Sequence, residues 1–460
     1  MNLKPDELLK IQACRFEYRG ETAFLSKSVS GFSIDSRSIQ SNEIFVAIKG
    51  DRFDGHQFVS KLAKDKQRIC VVSRHWYESQ NIEVDANFFI VDDTLTALQE
   101  ISHYHRMKFQ LPVLALTGSN GKTTTRDMVA NVLAEKFQVH KNKGNLNNHI
   151  GVPLSLLNLN ENHSIAVIEI GANHFGEIAR LAEIVSPTHG LITNIGPAHL
   201  EFFGSLKGVS KAKRELWDYL EQGGKTAFVN VDDPNLRENI PSVKKVVTFG
   251  FEQPAQVHGT FTGLDEEGKP GFQINGTHIN LGIAGMHNIN NALAAVAVGL
   301  EFDLNMNQVK MALERFLPTA KRMEIVRKEG LVIINDCYNS NPESSRKALL
   351  TLSQMETRGK RIAVLADMLE LGEWADQEHR AMGEFVVSLK NIDHLLTFGP
   401  LSKLTTETAF QLGKKTSIHF STKTELIEYL KEITKEHDLV LIKGSRGMAM
   451  EQITNEITGH

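Results

Sequence analysis

The sequence predicts an α/β protein of three domains: a central phosphate-loop domain with a mostly parallel sheet, a small N-terminal α/β domain and a Rossmann-like C-terminal α/β domain. Three observations carry this expectation. The chain has 460 residues, room for about three domains of ~150 residues each. Short apolar runs alternate with helical patterns along most of it, the rhythm of a parallel sheet with crossover helices. One run, Leu111-Pro-Val-Leu-Ala-Leu116, ends in a glycine-rich turn, Thr117-Gly-Ser-Asn-Gly-Lys-Thr-Thr124. A helical pattern through Met128, Val129, Val132 and Leu133 follows.

Residues 1–108 form the first expected domain, with strands at Glu43–Ile48, Arg68–Val72 and Asn87–Val91 and a helix over Leu95–Met107. Pro112 opens the central block, 109–318. Its further strands are expected at Ile165–Ile170, Gly190–Ile195, Thr226–Val231 and Val246–Phe249. Residues 256–283, rich in Gly and Thr with alternating character, read as an antiparallel appendage, and Gly285–Leu300 as an Ala-rich helix. Pro318 marks the next boundary. The last domain, 319–460, carries strand patterns at Leu331–Asn335, Arg361–Leu365, Leu395–Phe398 and Leu439–Ile442. Three α/β units around one nucleotide loop imply a cleft that opens and closes.

Composition narrows the function. At 41% hydrophobic and 23% charged residues the chain reads as an ordinary globular protein. A net charge of −4 offers neither a nucleic-acid surface nor a polybasic membrane anchor. Three well-separated cysteines, Cys14, Cys70 and Cys337, do not form a disulfide framework and suit a reducing cytoplasm. The segment Met1–Lys10 has no signal-peptide apolar region, and no run approaches the ~20 apolar residues of a membrane span.

The turn after Leu116 carries the chemistry. A strand, a glycine loop, Gly-Lys-Thr and a helix together cradle the phosphates of ATP or GTP. Loop and helix N–H groups face the phosphate oxygens. Gly118, Ser119, Asn120 and Gly121 supply that loop, Lys122 reaches the β- and γ-phosphates, and Thr123, followed by Thr124, offers a hydroxyl to Mg²⁺. The first glycine of the commonest form of this loop is replaced by Leu116, so the string is a shorter variant.

A metal needs a carboxylate near the loop. Glu169 interrupts the apolar run Ile165-Ala-Val-Ile-Glu-Ile170, and an acid there is costly to bury unless it is paired or on a metal; an exposed strand tip is the alternative. His199, in Thr193-Asn-Ile-Gly-Pro-Ala-His199, follows the next strand and opens on the same sheet edge. It is a second metal ligand or a structural imidazole. Asn145, Asn147 and Asn148, after Lys141 and Lys143, are amides that grip a sugar or diphosphate, or cap a helix.

Taken together these strings resemble the Mur ligases, which add amino acids to the peptide stem of the bacterial cell-wall precursor. The loop Thr117–Thr124, Glu169-Ile-Gly171, Ala198-His199 and Gly285-Met-His-Asn-Ile-Asn-Asn-Ala-Leu-Ala-Ala295 are similar to the family's nucleotide and metal motifs, and the similarity as a whole runs in the family's order through all three domains. Asp35-Ser-Arg37, Phe45-Val-Ala-Ile-Lys-Gly50 and Asp54-Gly-His56 are similar to the first domain of its dipeptide-adding branch. Asp336-Cys-Tyr-Asn-Ser-Asn-Pro-Glu-Ser344, Leu365-Ala-Asp-Met-Leu-Glu-Leu-Gly372 and Leu441-Ile-Lys-Gly-Ser-Arg-Gly447 resemble further strings of the same branch. Ser340 stands where that branch has alanine. The strings Asp-Tyr-Ala-His-Thr-Pro and Asp-Asn-Pro-Arg of the branch adding the third residue are missing from the sequence.

The resemblance implies an ATP- and Mg²⁺-dependent amide ligase, monomeric and cytoplasmic, whose substrates are UDP-N-acetylmuramoyl-tripeptide and D-alanyl-D-alanine. The tripeptide carboxylate becomes an acyl phosphate, and the dipeptide amine then attacks it. By the same resemblance Thr123 and Glu169 hold one Mg²⁺ and His199 helps hold a second. Lys213 aligns with a lysine that the family carbamylates, which makes it a further metal ligand; Lys211 competes for that role. His287 and Asn291 lie on the adenine side, and Arg322 and Asp336 bring the third domain to ATP. Asn339, Asn341, Ser344 and Arg446 are implied for the dipeptide. Asp35, Ser36, Arg37 and Lys49 are implied for the uridine-diphosphate sugar, and Asn145, Asn147 and Asn148 for its neck. Because a free α-amino group has a pKa of ~8, activity is expected to rise above neutral pH.

Two other readings share the phosphate loop. A folylpolyglutamate synthetase also forms an acyl phosphate, but the Asp336–Ser344 string and the long first domain argue against it. A GTP switch needs Asn-Lys-x-Asp, and Asn142-Lys-Gly-Asn145 lacks the aspartate.

Overall fold

The computed structural model describes residues 3–50, 53–80 and 86–459; Met1 and Asn2 of the N-terminal segment judged above lie outside them. Three main sheets follow one another along the chain. The first has five strands in the order Glu17–Arg19, Asn87–Val91, Ile69–Ser73, Glu43–Val46, Gly31–Ser33; the Glu17–Arg19 edge is antiparallel and the remaining pairs are parallel. His56 fastens it. Its Nδ1 lies 2.6 Å from Asp54 Oδ1 and its Nε2 accepts the Ser73 N–H at 3.0 Å. The Asp54-Gly-His56 string is therefore structural here.

The central sheet has seven strands, all parallel, in the order Val257–His258, Lys245–Gly250, Thr226–Asn230, His189–Ile192, Val113–Thr117, Ile165–Glu169, Val139–Lys141. Val113–Thr117 and Ile165–Glu169 are buried at every position, as parallel strands covered on both faces must be. This places the loop after Thr117, Glu169 and the loop after Ile192 side by side at one carboxyl-end edge. A three-stranded antiparallel sheet, Thr260–Leu264, Pro270–Ile274 and Thr277–Asn280, packs Phe272, Ile274 and Ile279 inward. The appendage is thus narrower than expected, because Val257–His258 joins the parallel sheet. The following helix starts at Asn288, not Gly285, where φ is +98°.

The third sheet has six strands, Glu324–Lys328, Leu331–Asp336, Leu439–Lys443, Arg361–Ala366, His394–Phe398, Ser417–Phe420; only the first pair is antiparallel. One buried apolar cluster runs from the central sheet through Leu349, Leu352 and Met355 to Ala363 and Leu441 of the third. Among the described residues no helix is long and apolar enough to cross a membrane.

Candidate active site

The carboxyl end of Val113–Thr117 opens on a cleft of about 560 Å³ between the second and third sheets. Gly118 has φ +144° and Gly121 φ +76°. A Cβ on Gly118 would lie 2.0 Å from Thr193 Oγ1, and one on Gly121 2.6 Å from Asn291 Oδ1. Only glycine tolerates both the backbone and the approach. The loop is pinned from the neighbouring strand end: Ser119 Oγ donates to Gly196 O at 2.9 Å and Asn120 N donates to Asn194 Oδ1 at 3.0 Å. Helix Lys122–Leu133 begins immediately, its first-turn N–H groups and dipole facing the cleft. Lys122 Nζ donates to Gly118 O at 2.7 Å and Ser119 O at 3.0 Å. Burial pushes this ammonium down from its usual value, and Glu169 opposes the shift.

Glu169, 1% exposed, ends its strand beside the loop. Asn142 brackets its peptide, accepting from Glu169 N at 3.0 Å and donating to Glu169 O at 2.8 Å. Asn147 Nδ2 donates to Glu169 Oε1 at 2.7 Å. Oε2 accepts no hydrogen bond among the described residues and faces the Arg126 guanidinium at 3.3 Å. A buried carboxylate oxygen that accepts no hydrogen bond, lining the same cleft as Thr123, is hard-donor chemistry that fits Mg²⁺, which takes one or two carboxylates plus phosphate and water. No group of three or more His, Cys, Asp or Glu side chains converges on a metal position among the described residues.

His199 caps the short helix Leu200–Phe203 at the cleft rim, with φ +54°. Its Nδ1 lies 2.6 Å from Glu370 Oε2 of the third domain. Lys213, on helix Leu206–Glu221, is 1% exposed and lines the cleft, with Nζ 5.6 Å from the Phe203 ring centre. Burial, then the charge of Lys122, pushes its amine down to about 7. Lys211 is exposed on the same helix.

Asn291 Oδ1 accepts from Thr125 Oγ1 at 3.0 Å and its amide donates to Asn288 Oδ1 at 2.8 Å. His287 stands beside it, its imidazole held neutral by burial and pushed down to about 3. Beyond this pair the cleft adjoins a second chamber of about 510 Å³, lined by Asn194, Asn230, Asp233, Phe251 and Lys347 among others.

The third domain enters from the opposite wall. Arg322 Nη2 donates to Thr123 Oγ1 at 3.0 Å, and its guanidinium lies 3.8 Å over the Tyr338 ring. Asp336 accepts from buried Lys443 Nζ at 2.5 Å and from Met323 N at 3.1 Å. Asn341 and Ser344 form the capping box of helix Pro342–Gln354, while the Asn341 amide crosses to Asn120 Oδ1 at 2.7 Å. The Arg446 guanidinium also lies over the Tyr338 ring, 5.5 Å from its centre.

The structure therefore gathers loop residues Ser119 to Thr124, Asn145, Asn147, Asn148, Glu169, His199, Lys213, His287, Asn291, Arg322, Asp336, Asn339, Asn341, Ser344 and Arg446 around one cleft, while Gly118 is not among its lining. Asn148 Oδ1 also accepts from Gly151 N, the first residue of the helix after it, at 2.8 Å. Asp35, Ser36, Arg37 and Lys49 are not among its lining. Arg37 folds back on Asp35, Nη2 to Oδ2 2.8 Å, and holds that carboxyl down to about 2. Sequence reasoning missed Tyr338, Glu370, Asn142 and Asn194. Tyr338 and Glu370 sit inside strings already singled out; Asn230-Val-Asp-Asp-Pro234, at a strand end, was the available signal for the second chamber.

Comparison with known proteins gives one family in three successive pieces. The chain matches the Mur ligase family catalytic domain over residues 28–106, the Mur ligase middle domain over 116–299 and the Mur ligase glutamate ligase domain over 321–446. A UDP-N-acetylmuramoyl-tripeptide–D-alanyl-D-alanine ligase of Bacillus subtilis is 36% identical over 434 residues, 93% of each chain. The crystal structure of MurF from Acinetobacter baumannii superposes with a TM-score of 0.88 at 30% identity, covering 99% of both chains. MurF from Thermotoga maritima in complex with ADP gives 0.81 at 27% identity, covering 93% of this chain and 97% of that one.

Proposed function

Because this chain belongs to the Mur ligase family, we propose that it joins D-alanyl-D-alanine to UDP-N-acetylmuramoyl-tripeptide with ATP as phosphoryl donor, forming UDP-N-acetylmuramoyl-pentapeptide. The observation that carries this reading is the meeting, across one cleft, of the phosphate loop with the Asp336–Ser344 string, through Asn120 and Asn341 at 2.7 Å. The similarity to ligases of that name over 93% of the chain supports it.

A carboxylate is a poor acyl donor, so it must first gain a leaving group. The tripeptide carboxylate attacks the γ-phosphorus, the bond to the β–γ bridging oxygen breaks, and ADP leaves. Lys122 and Arg322 hold phosphate oxygens and offset the charge that two approaching anions accumulate. Mg²⁺, held by Thr123 and Glu169 and at a second position by His199, would supply further positive charge there. Lys213, with its amine near neutral pH, is suited to carbamylation, which would turn a buried cation into an anionic oxygen ligand. The dipeptide amine, in its neutral form, then attacks the acyl carbon; the C–N bond forms as the bond from that carbon to the phosphate oxygen breaks, and inorganic phosphate leaves with the amine's surplus proton. Asn339, Asn341, Ser344 and Arg446 receive the dipeptide; an arginine pairs bidentately with a carboxylate.

Residues 1–108, with Asp35, Ser36, Arg37 and Lys49, are assigned to the UDP-sugar end of the acceptor. Residues 109–318 are assigned to ATP and 319–460 to the dipeptide and to closure over the nucleotide. A cytoplasmic monomer completes the reading. The test is phosphate release and product mass from ATP, Mg²⁺, tripeptide acceptor and dipeptide, each omitted in turn, with Lys122→Ala as control. Pentapeptide only in the complete mixture supports the proposal; phosphate without pentapeptide overturns it.

A further inference from the structure

His199 and Glu370 come from different domains, and both hold a backbone conformation that non-glycine residues rarely adopt, with φ +54° and +64°. Such strain persists only where surrounding contacts impose it, and it gathers at functional positions. The contacts here are specific. The His199 imidazole Nδ1 meets Glu370 Oε2 at 2.6 Å as a close ion-pair contact, the two groups not aligned as a hydrogen bond. The Glu370 carbonyl accepts the Glu201 N–H, two residues past His199, at 3.2 Å. Gly372 lies so close that a Cβ there would sit 3.1 Å from Glu201 Cα, and Trp374 Nε1 donates to Gly204 O at 3.4 Å. The segment 370–374 thus grips the turn that begins with His199 along its whole length.

We propose that Glu370 is the positioning residue through which closure of the third domain sets His199 for its metal. A carboxylate this close to Nδ1 favours the tautomer that carries its proton there and leaves the Nε2 lone pair as the ligand atom. With the third domain away, His199 loses this partner and its ring is free to turn. The second metal position is then complete only when the domains meet. This rests on the reading of His199 as a metal ligand.

The experiment is a titration of Mn²⁺ into the full-length protein saturated with a non-hydrolysable ATP analogue, followed by the electron-spin signal of the free ion. Glu370→Ala and His199→Ala are expected to weaken Mn²⁺ binding about tenfold to a hundredfold. Glu370→Gln, which keeps an acceptor oxygen, recovers part of the loss. Trp374→Phe, which removes a neighbouring contact of the same segment, stays within about twofold of the parent. Thermal midpoints of the Glu370 variants are expected to match the parent, since a partly exposed ion pair adds little to folding. If His199→Ala weakens binding and Glu370→Ala does not, the role of Glu370 is wrong while His199 stands as a ligand. If His199→Ala binds normally, the ligand reading and this inference fall together. If Trp374→Phe weakens binding as much as Glu370→Ala, the segment acts by packing alone and the proposal is overturned.

Discussion

Asn120, in the phosphate loop, donates its side-chain amide to Glu343 Oε2 at 2.9 Å across the gap between the second and third domains. Its Oδ1 accepts from Asn341 two residues earlier at 2.7 Å, and Lys347 holds the other oxygen of Glu343. The loop that binds phosphate is thereby tied to the N-terminus of helix Pro342–Gln354. Asn120→Ala removes both cross-domain bonds. At ~1 kcal/mol each the expected loss in kcat/KM is roughly thirtyfold, with far-UV circular dichroism unchanged. Asn120→Asp sets a carboxylate against Glu343 and falls further. An Asn120→Ala enzyme of full activity would show that the tie has no part in turnover.

Gly118 is the least replaceable residue of the loop. Alanine there meets Thr193 Oγ1 at 2.0 Å on a backbone at φ +144°, and neither problem relieves the other. Gly118→Ala should abolish binding of a fluorescent ATP analogue while the protein stays folded. Adding Thr193→Ala removes the clash but not the backbone strain, so binding returns only in part. Complete recovery in the double variant would mean that the backbone angle is tolerated.

Much of this site was legible as strings, and the reasons are local. The strand before Gly118 and the acid at 169 stand out because burial on both faces of a parallel strand leaves an unbroken apolar run, against which Lys122 and Glu169 are conspicuous. The short edge strands Val139–Lys141 and Ser417–Phe420 carry no such run and pass as loop. Partners separated far along the chain were not legible. That Asn147 engages Glu169, and that His199 faces Glu370, depends on how strands are ordered and how domains meet, which no spacing within either segment records. Asn341 and Ser344 illustrate the same limit: a string readable as substrate contacts also closes the first turn of a helix.

Arg126 is the cation between two carboxylates. Its side chain is 3% exposed, with Nη2 2.9 Å from Asp127 Oδ1 and Nη1 3.3 Å from Glu169 Oε2. Arg126→Met would leave the buried Glu169 carboxylate without its ion-pair partner, which costs about 3–5 kcal/mol, while Asp127 keeps Lys141. The urea midpoint should fall accordingly. Lys141, 2.8 Å from Asp127 but 41% exposed, is screened by solvent, and Lys141→Met should move the midpoint far less. Equal shifts for the two variants would count against the buried-charge account.

His140 gives the structure an acid weakness. Its ring lies 4.9 Å from that of His163, and Nε2 has no hydrogen-bond partner among the described residues. Burial first, and His163 second, push the imidazole down to about 4. In the unfolded chain the same group binds a proton near ~6.5. Between these values the unfolded state carries more protons, so stability from this group is present above the unfolded pKa and is lost as pH falls toward 4. The full loss is at most about 3 kcal/mol. His189, also held down to about 4 by burial, adds to the slope. Thermal unfolding of the parent and of His140→Gln between pH 4 and 7 separates the contributions. The variant should lose less of its midpoint over that range, because a side chain that cannot be protonated carries no such penalty. Parallel curves for the two proteins would show that His140 accepts its proton without disturbing the fold.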